Sequence, residues 1–179
     1  MTNQPEAWLL GSVDGYPDGL MPVVHALLQS RAELMSLQSD ISTQEVRLAP
    51  GGAAPIGFHL VHIAGSLDRL FTYARGEALD PGQLEYLRRE SERALARAPD
   101  DLFVTTLAQI DRCLETLQGN SNDALSQSRA VGRGQLPSTV RGLLFHAAEH
   151  TTMHVGQIRT TLKIIRGLAA SERQNQGHS

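Results

Sequence analysis

Histidine recurs at a four-residue step near the C-terminal end of the chain, in His146-Ala-Ala-Glu-His150-Thr-Thr-Met-His154-Val-Gly-Gln-Ile. Three of the seven histidines lie in this stretch, which has the apolar rhythm of a helix. A step of four is slightly more than one helical turn, so neighbouring rings stand one above another along one side and reach toward a common point. Neutral imidazole binds zinc, nickel, copper and iron. Two such nitrogens, joined by a third from another helix, would hold a divalent cation and leave coordination positions open. A fold that uses the motif in this way must lay a second histidine-bearing helix along the first.

The rest of the sequence supplies helices for that purpose. Leu20, Val23, Val24, Leu27, Leu28, Leu34 and Leu37 recur at helical spacing over residues 19–40. Pro50, Gly51, Gly52 and Pro55 then break the chain. A second helix is expected from Ile56 to Arg75, with Ile56, Leu60, Ile63, Leu67, Leu70 and Phe71 on one face and Gly76 as its C-terminal cap. A short charged helix follows over residues 83–97, with Asp80-Pro81 as its start signal. Pro99-Asp100-Asp101 opens another, carrying Phe103, Leu107, Ile110, Leu114 and Leu117. Residues 120–135 are polar and read as a long loop. Ser138 is the expected N-cap of the last helix, which should run to about Leu168.

No segment alternates apolar and polar residues in the manner of a strand. The expectation is all-α: a four-helix bundle with one additional short helix. Residues 1–18 form an irregular lead-in, 19–168 the bundle, and 169–179 a polar, frayed tail.

Composition narrows the function. A chain of 179 residues that is 41% hydrophobic is the size of one domain with a sizeable core. Sixteen Lys and Arg are scattered among nineteen Asp and Glu, for a net charge of −3, which leaves no basic stripe for nucleic acid. The N-terminus lacks a basic start followed by an apolar run, and no apolar stretch approaches the roughly 20 residues of a membrane span. The single cysteine, Cys113, fits a reducing compartment and reads as a buried apolar filler. The expected location is the cytoplasm, with no membrane partner.

The histidines can be placed on helical wheels. On the last helix Val140, Leu144, Ala147, Thr151, Val155, Ile158, Leu162 and Ile165 trace the apolar stripe. At about 100° per residue, His154 lies roughly 50° from its centre, His150 roughly 90° and His146 roughly 130°. The pair His150 and His154 therefore borders the core. On the second helix, His59 lies roughly 70° from the apolar centre and His62 roughly 130°, so amphipathic packing favours His59 as the third ligand. His25 on the first helix is a weaker candidate. The motif lacks the cysteine pairs of a zinc finger, and Thr151 after His150 excludes a His-Glu-x-x-His protease helix.

Two blocks carry a family resemblance. Gly57-Phe-His-Leu-Val-His62-Ile-Ala-Gly-Ser-Leu-Asp-Arg-Leu70, followed far downstream by Leu144-Phe-His-Ala-Ala-Glu-His150-Thr-Thr-Met-His154-Val-Gly156-Gln157-Ile158, resembles the DinB-like superfamily. The resemblance implies a four-helix bundle with a metal held between helices by three histidines. By matching motif it implies His62, in His62-Ile63-Ala64, together with His150 and His154 before Gly156-Gln157. Thus the family pattern selects His62 where packing prefers His59. Many relatives carry Arg after the last histidine, and this chain has Val155 instead. Gly156 is costly in mid-helix and is read as a point of close helix approach. Gln157, Asp68 and Glu149 are candidate partners of the ligand histidines.

The resemblance further implies a metal-dependent enzyme, with zinc or nickel as the divalent ion. Some relatives are transferases that join a low-molecular-weight thiol to a small electrophile, which makes such a thiol the expected small-molecule partner and a homodimer the expected assembly. The alternatives are a metal-dependent hydrolase and a non-catalytic, stress-related bundle that binds metal. The sequence assigns no catalytic residue.

Overall fold

The structure, a computed structural model, describes residues 5–176. Residues 1–4 of the expected lead-in and 177–179 of the expected tail lie outside the described residues. Four long helices dominate: α1 (Met21–Gln38), α2 (Ile56–Ala74), α5 (Pro99–Gln118) and α6 (Val140–Gln176), with α3 (Pro81–Arg88) and α4 (Glu90–Ala96) between the second and third of these. The all-α bundle is thus what the chain forms.

Local chemistry sets the helix limits. Proline stands in the first turn of α1, α3 and α5, where the missing N–H has no intrahelical acceptor to lose. Asp80 and Gln83 form a reciprocal capping box at the start of α3. Gly76, at φ 82°, takes the left-handed conformation that ends α2, and its N–H donates to the Tyr73 carbonyl.

The helices pack in a cycle, α2 against α5 and α6, and α1 against the same two. Their facing sides are apolar at i, i+3, i+4 and i+7, as in Val23, Val24, Leu27 and Leu34 of α1. Leu27, Leu34, Leu60, Ile63, Leu67, Ile110, Leu117 and Ile158 have no exposed surface. Each such side chain contributes about 1.5–3 kcal/mol by leaving water. Polar side chains also cross the interior: the buried Thr106 hydroxyl lies 2.9 Å from the Leu60 carbonyl and 2.8 Å from that of Leu102, tying α5 to α2.

Four local expectations are corrected. Residues 83–97 are two helices, because Arg89 (φ −114°, ψ 20°) breaks the helical run and turns the chain so that Glu90 is buried. The loop expected over 120–135 contains a 3₁₀ turn, Asn122–Ser126, and the strand β1 (Ser128–Val131), which pairs antiparallel with β2 (Leu136–Thr139). Ser138 lies within that strand, and the cap of α6 is the strand's last residue, Thr139, whose Oγ1 accepts from the Gly142 N–H at 3.0 Å. Finally, α6 continues through Gln176, well past Leu168. The hairpin holds the end of α2 as well: Arg129 Nε donates to the Ala74 carbonyl at 2.7 Å.

Candidate metal centre

Helices α2 and α6 lie against each other, and the histidines line their seam. His62 is half-buried on α2, His150 is half-buried and His154 buried on α6, and each offers a ring nitrogen such that all three lie within 4.8 Å of one another. His62 Nε2 and His150 Nε2 are 2.9 Å apart. Ideal tetrahedral zinc with bonds of about 2.0–2.1 Å separates its nitrogen ligands by roughly 3.3 Å. The spacing of these donors brackets that value, and three neutral imidazoles are a donor set suited to zinc or nickel.

Hydrogen bonds orient two of the rings. Glu90 Oε2 lies 2.7 Å from His62 Nδ1, and a carboxylate accepts, so Nδ1 carries the hydrogen and Nε2 is the nitrogen turned toward His150. Glu90 is itself held by Arg69, whose Nη1 donates to Oε1 at 2.9 Å. This Arg69–Glu90–His62 chain is almost closed to water. It is the carboxylate–histidine arrangement that fixes tautomer and orientation in metal sites.

His154 is oriented from behind by His59, the buried histidine that packing favoured. Their Nδ1 atoms are 2.9 Å apart. The pair shares one hydrogen, so one ring donates and the other accepts. Gln157, expected near a ligand histidine, bonds the His154 ring.

Burial first, and the neighbouring imidazoles second, disfavour positive charge here. His154 is lowered to about 3, and His59 and His150 are lowered as well. These rings are neutral at neutral pH, the form that binds metal. The Phe58 ring stacks on His62, with centroids 5.6 Å apart and planes 17° from parallel, and gives the site an apolar wall.

The remaining candidates are placed elsewhere. His146 is exposed and pairs with Glu149 at 2.8 Å, so neither reaches the seam. His25 Nε2 lies 2.8 Å from the Gly11 carbonyl and anchors the lead-in. Asp68 accepts from Gln83 Nε2 at 2.7 Å. Gly156 is exposed, and a Cβ there would meet nothing within 4 Å, so helix packing is not the reason for it. Cys113 is 1% exposed, and burial pushes its thiol up to about 12.

Glu90 is the residue that sequence reasoning missed. Its one sequence signal is weak: a single acid in a charge-rich segment, distant from every histidine.

A family model described as the DinB superfamily matches residues 26–158. A solved structure described as the conserved protein of locus from Enterococcus faecalis is similar over 83% of this chain and 97% of its own, at 16% identity and a TM-score of 0.61. Likeness at that identity is likeness of fold. No curated protein sequence matches the chain.

Proposed function

The chain belongs to the DinB superfamily, and on that premise we propose that it is a metal-dependent enzyme that transfers a low-molecular-weight thiol to a small electrophile. The observation that carries the reading is the set of three imidazoles, His62, His150 and His154, whose ring nitrogens converge on one place. The one cysteine is shut in the core with its thiol held protonated. The nucleophile must therefore arrive with a substrate.

A zinc or nickel ion, when bound, supplies Lewis acidity that favours the thiolate form of a thiol near neutral pH. The protein's own contribution is orientation. Glu90 holds the His62 ring and His59 holds the His154 ring, both beside the place where the three ring nitrogens meet. Phe58 shields one face of His62 from water and offers an apolar surface to an incoming molecule.

Hydrolysis is less well served. It calls for a free base near the site, but Glu90 is engaged through both oxygens and Glu149 is paired on the exposed face. No helix among the described residues is long and apolar enough to cross a membrane. A cytoplasmic homodimer completes the proposal, and light scattering from the purified chain checks the assembly: the mass of one chain would remove that part.

The test of function combines metal content with conjugation. Protein purified without an affinity tag should carry close to one zinc or nickel per chain, and His150→Ala should lose it while keeping its helical circular dichroism. A panel of low-molecular-weight thiols, each assayed with a chromogenic electrophile, should show conjugation by the metal-loaded protein and none by the stripped protein. Full metal content in His150→Ala would overturn the ligand assignment, and conjugation that survives stripping would overturn the reaction.

A further inference from the structure

On the other side of Arg69 from the histidines, helices α2, α3 and α5 enclose a cavity of about 300 Å³. Its lining includes Arg69, Tyr86, Thr105, Gln109 and Arg112. Ala64 and Gly65 keep the α2 wall small. A Cβ at Gly65 would stand 2.6 Å from Tyr86 Cε1 and 2.8 Å from Arg69 Nη1, so glycine lets the guanidinium lie flat along the helix.

The electrostatics are unusual for a chain of net charge −3. Arg93 and Arg97 act on Tyr86 together with Arg69, and Arg93 sits 4.6 Å over the Tyr86 ring. With Arg112 on the rim, four arginines gather on this side of the bundle, with the carboxylates of Glu90 and Asp68 among them. Glu90 neutralises Arg69, and Asp68 accepts from Gln83. Arg93 Nε is buried with no hydrogen-bond partner. Arg112 bonds the neutral Gln109 Oε1 through Nε at 3.1 Å and through Nη2, and Arg97 bonds the neutral Thr105 hydroxyl. The cluster therefore holds more cationic charge than its carboxylates balance.

We propose that this cavity is a binding site for a small oxyanion, a carboxylate or phosphate group, received chiefly by the Arg112 guanidinium. Gln109 takes up the Nε side of the exposed Arg112 guanidinium, and the edge formed by Nη1 and Nη2 matches the oxygen geometry of both groups. The volume fits a compact molecule at the small end of the range for ligand pockets. Recognition here needs no metal and stands apart from the thiol-transfer reading.

The arginine Nε–Hε signals of the isotope-labelled full chain provide the test. Inorganic phosphate and malonate are titrated separately at fixed ionic strength, with metal-free and zinc-loaded protein. The expected result is a saturable shift of the Arg112 signal with at least one of the two anions, in both metal states, while the Arg173 signal on the far end of α6 stays still. Saturation by malonate alone assigns a carboxylate, and by phosphate alone a phosphate group. Arg112→Gln should weaken that binding at least about tenfold, the scale of one charge-assisted hydrogen bond, with its amide spectrum otherwise unchanged. Arg173→Gln should bind as the parent does. Linear shifts shared by Arg112 and Arg173, or the same affinity in Arg112→Gln, would overturn the site.

Discussion

His59 and His154 meet nitrogen to nitrogen, Nδ1 to Nδ1 at 2.9 Å, in the closed seam between α2 and α6. Only one of the two can carry the shared hydrogen. His59→Phe keeps the bulk and removes the hydrogen-bond partner. It should lower zinc affinity by about 10- to 100-fold, the usual effect of losing the partner of a ligand histidine. Competition against a chromophoric chelator measures it; unchanged affinity would show that His59 merely fills space.

Glu90 joins two cationic or hydrogen-donating partners in an almost dry place, with a side chain only 6% exposed. Glu90→Gln leaves the Arg69 charge uncompensated and should cost roughly 3 kcal/mol or more of stability in urea denaturation. The double change Arg69→Met with Glu90→Leu should be less destabilised than Glu90→Gln alone, since no buried charge is then orphaned. Equal or greater loss in the double variant would deny that interpretation.

Gly156 faces open space on α6. Gly156→Ala should therefore raise stability by up to about 1 kcal/mol, because alanine restricts the unfolded chain and favours helix. A higher melting temperature with reduced conjugation would locate a substrate beside this backbone, and a lower one would mean the position has a packing role.

The Glu45–Arg166 ion pair, 2.8 Å long, carries a pH signature. Hydrogen bonding from Arg166 lowers the Glu45 carboxyl from 4.5 to about 2. A carboxyl depressed on folding contributes stability above its unfolded value, so the contribution is complete above about pH 4.5 and drains away as pH falls toward 2. The Arg166 side chain is 42% exposed, which limits the effect to below about 1 kcal/mol and makes it sensitive to salt. Glu45→Gln should be less stable than the parent at pH 7 and equal to it near pH 2. A difference that persists at pH 2 would sink the assignment.

The bundle was legible because its information is periodic. The apolar spacing in α1, α2, α5 and α6 comes from burying one helical face, and it reads directly from the residues. The same wheel that put His154 near the core and His146 outside agrees with their burial. For α2 the wheel agrees with the burial of His59, while His62, the residue the family motif selects, stands beside His150, and both rings lie at the seam in different places. The hairpin was not legible: Ser128–Val131 and Leu136–Thr139 are short, lie mostly at the surface and have no apolar alternation. Its anchor, Arg129 on the Ala74 carbonyl, joins residues 55 positions apart. Glu90 was hidden for the same reason, since its partners His62 and Arg69 come from another helix and leave no spacing to detect.

Gly65 shows how far one small change could propagate. A methyl group there would press on the rigid Tyr86 ring and on the end of Arg69. Pushing that guanidinium aside would slacken its grip on Glu90, and with it the posture of His62, about two turns before Arg69 on the same helix. Alanine, elsewhere the most innocuous of helical replacements, would at this position reach the ion-binding seam by relay.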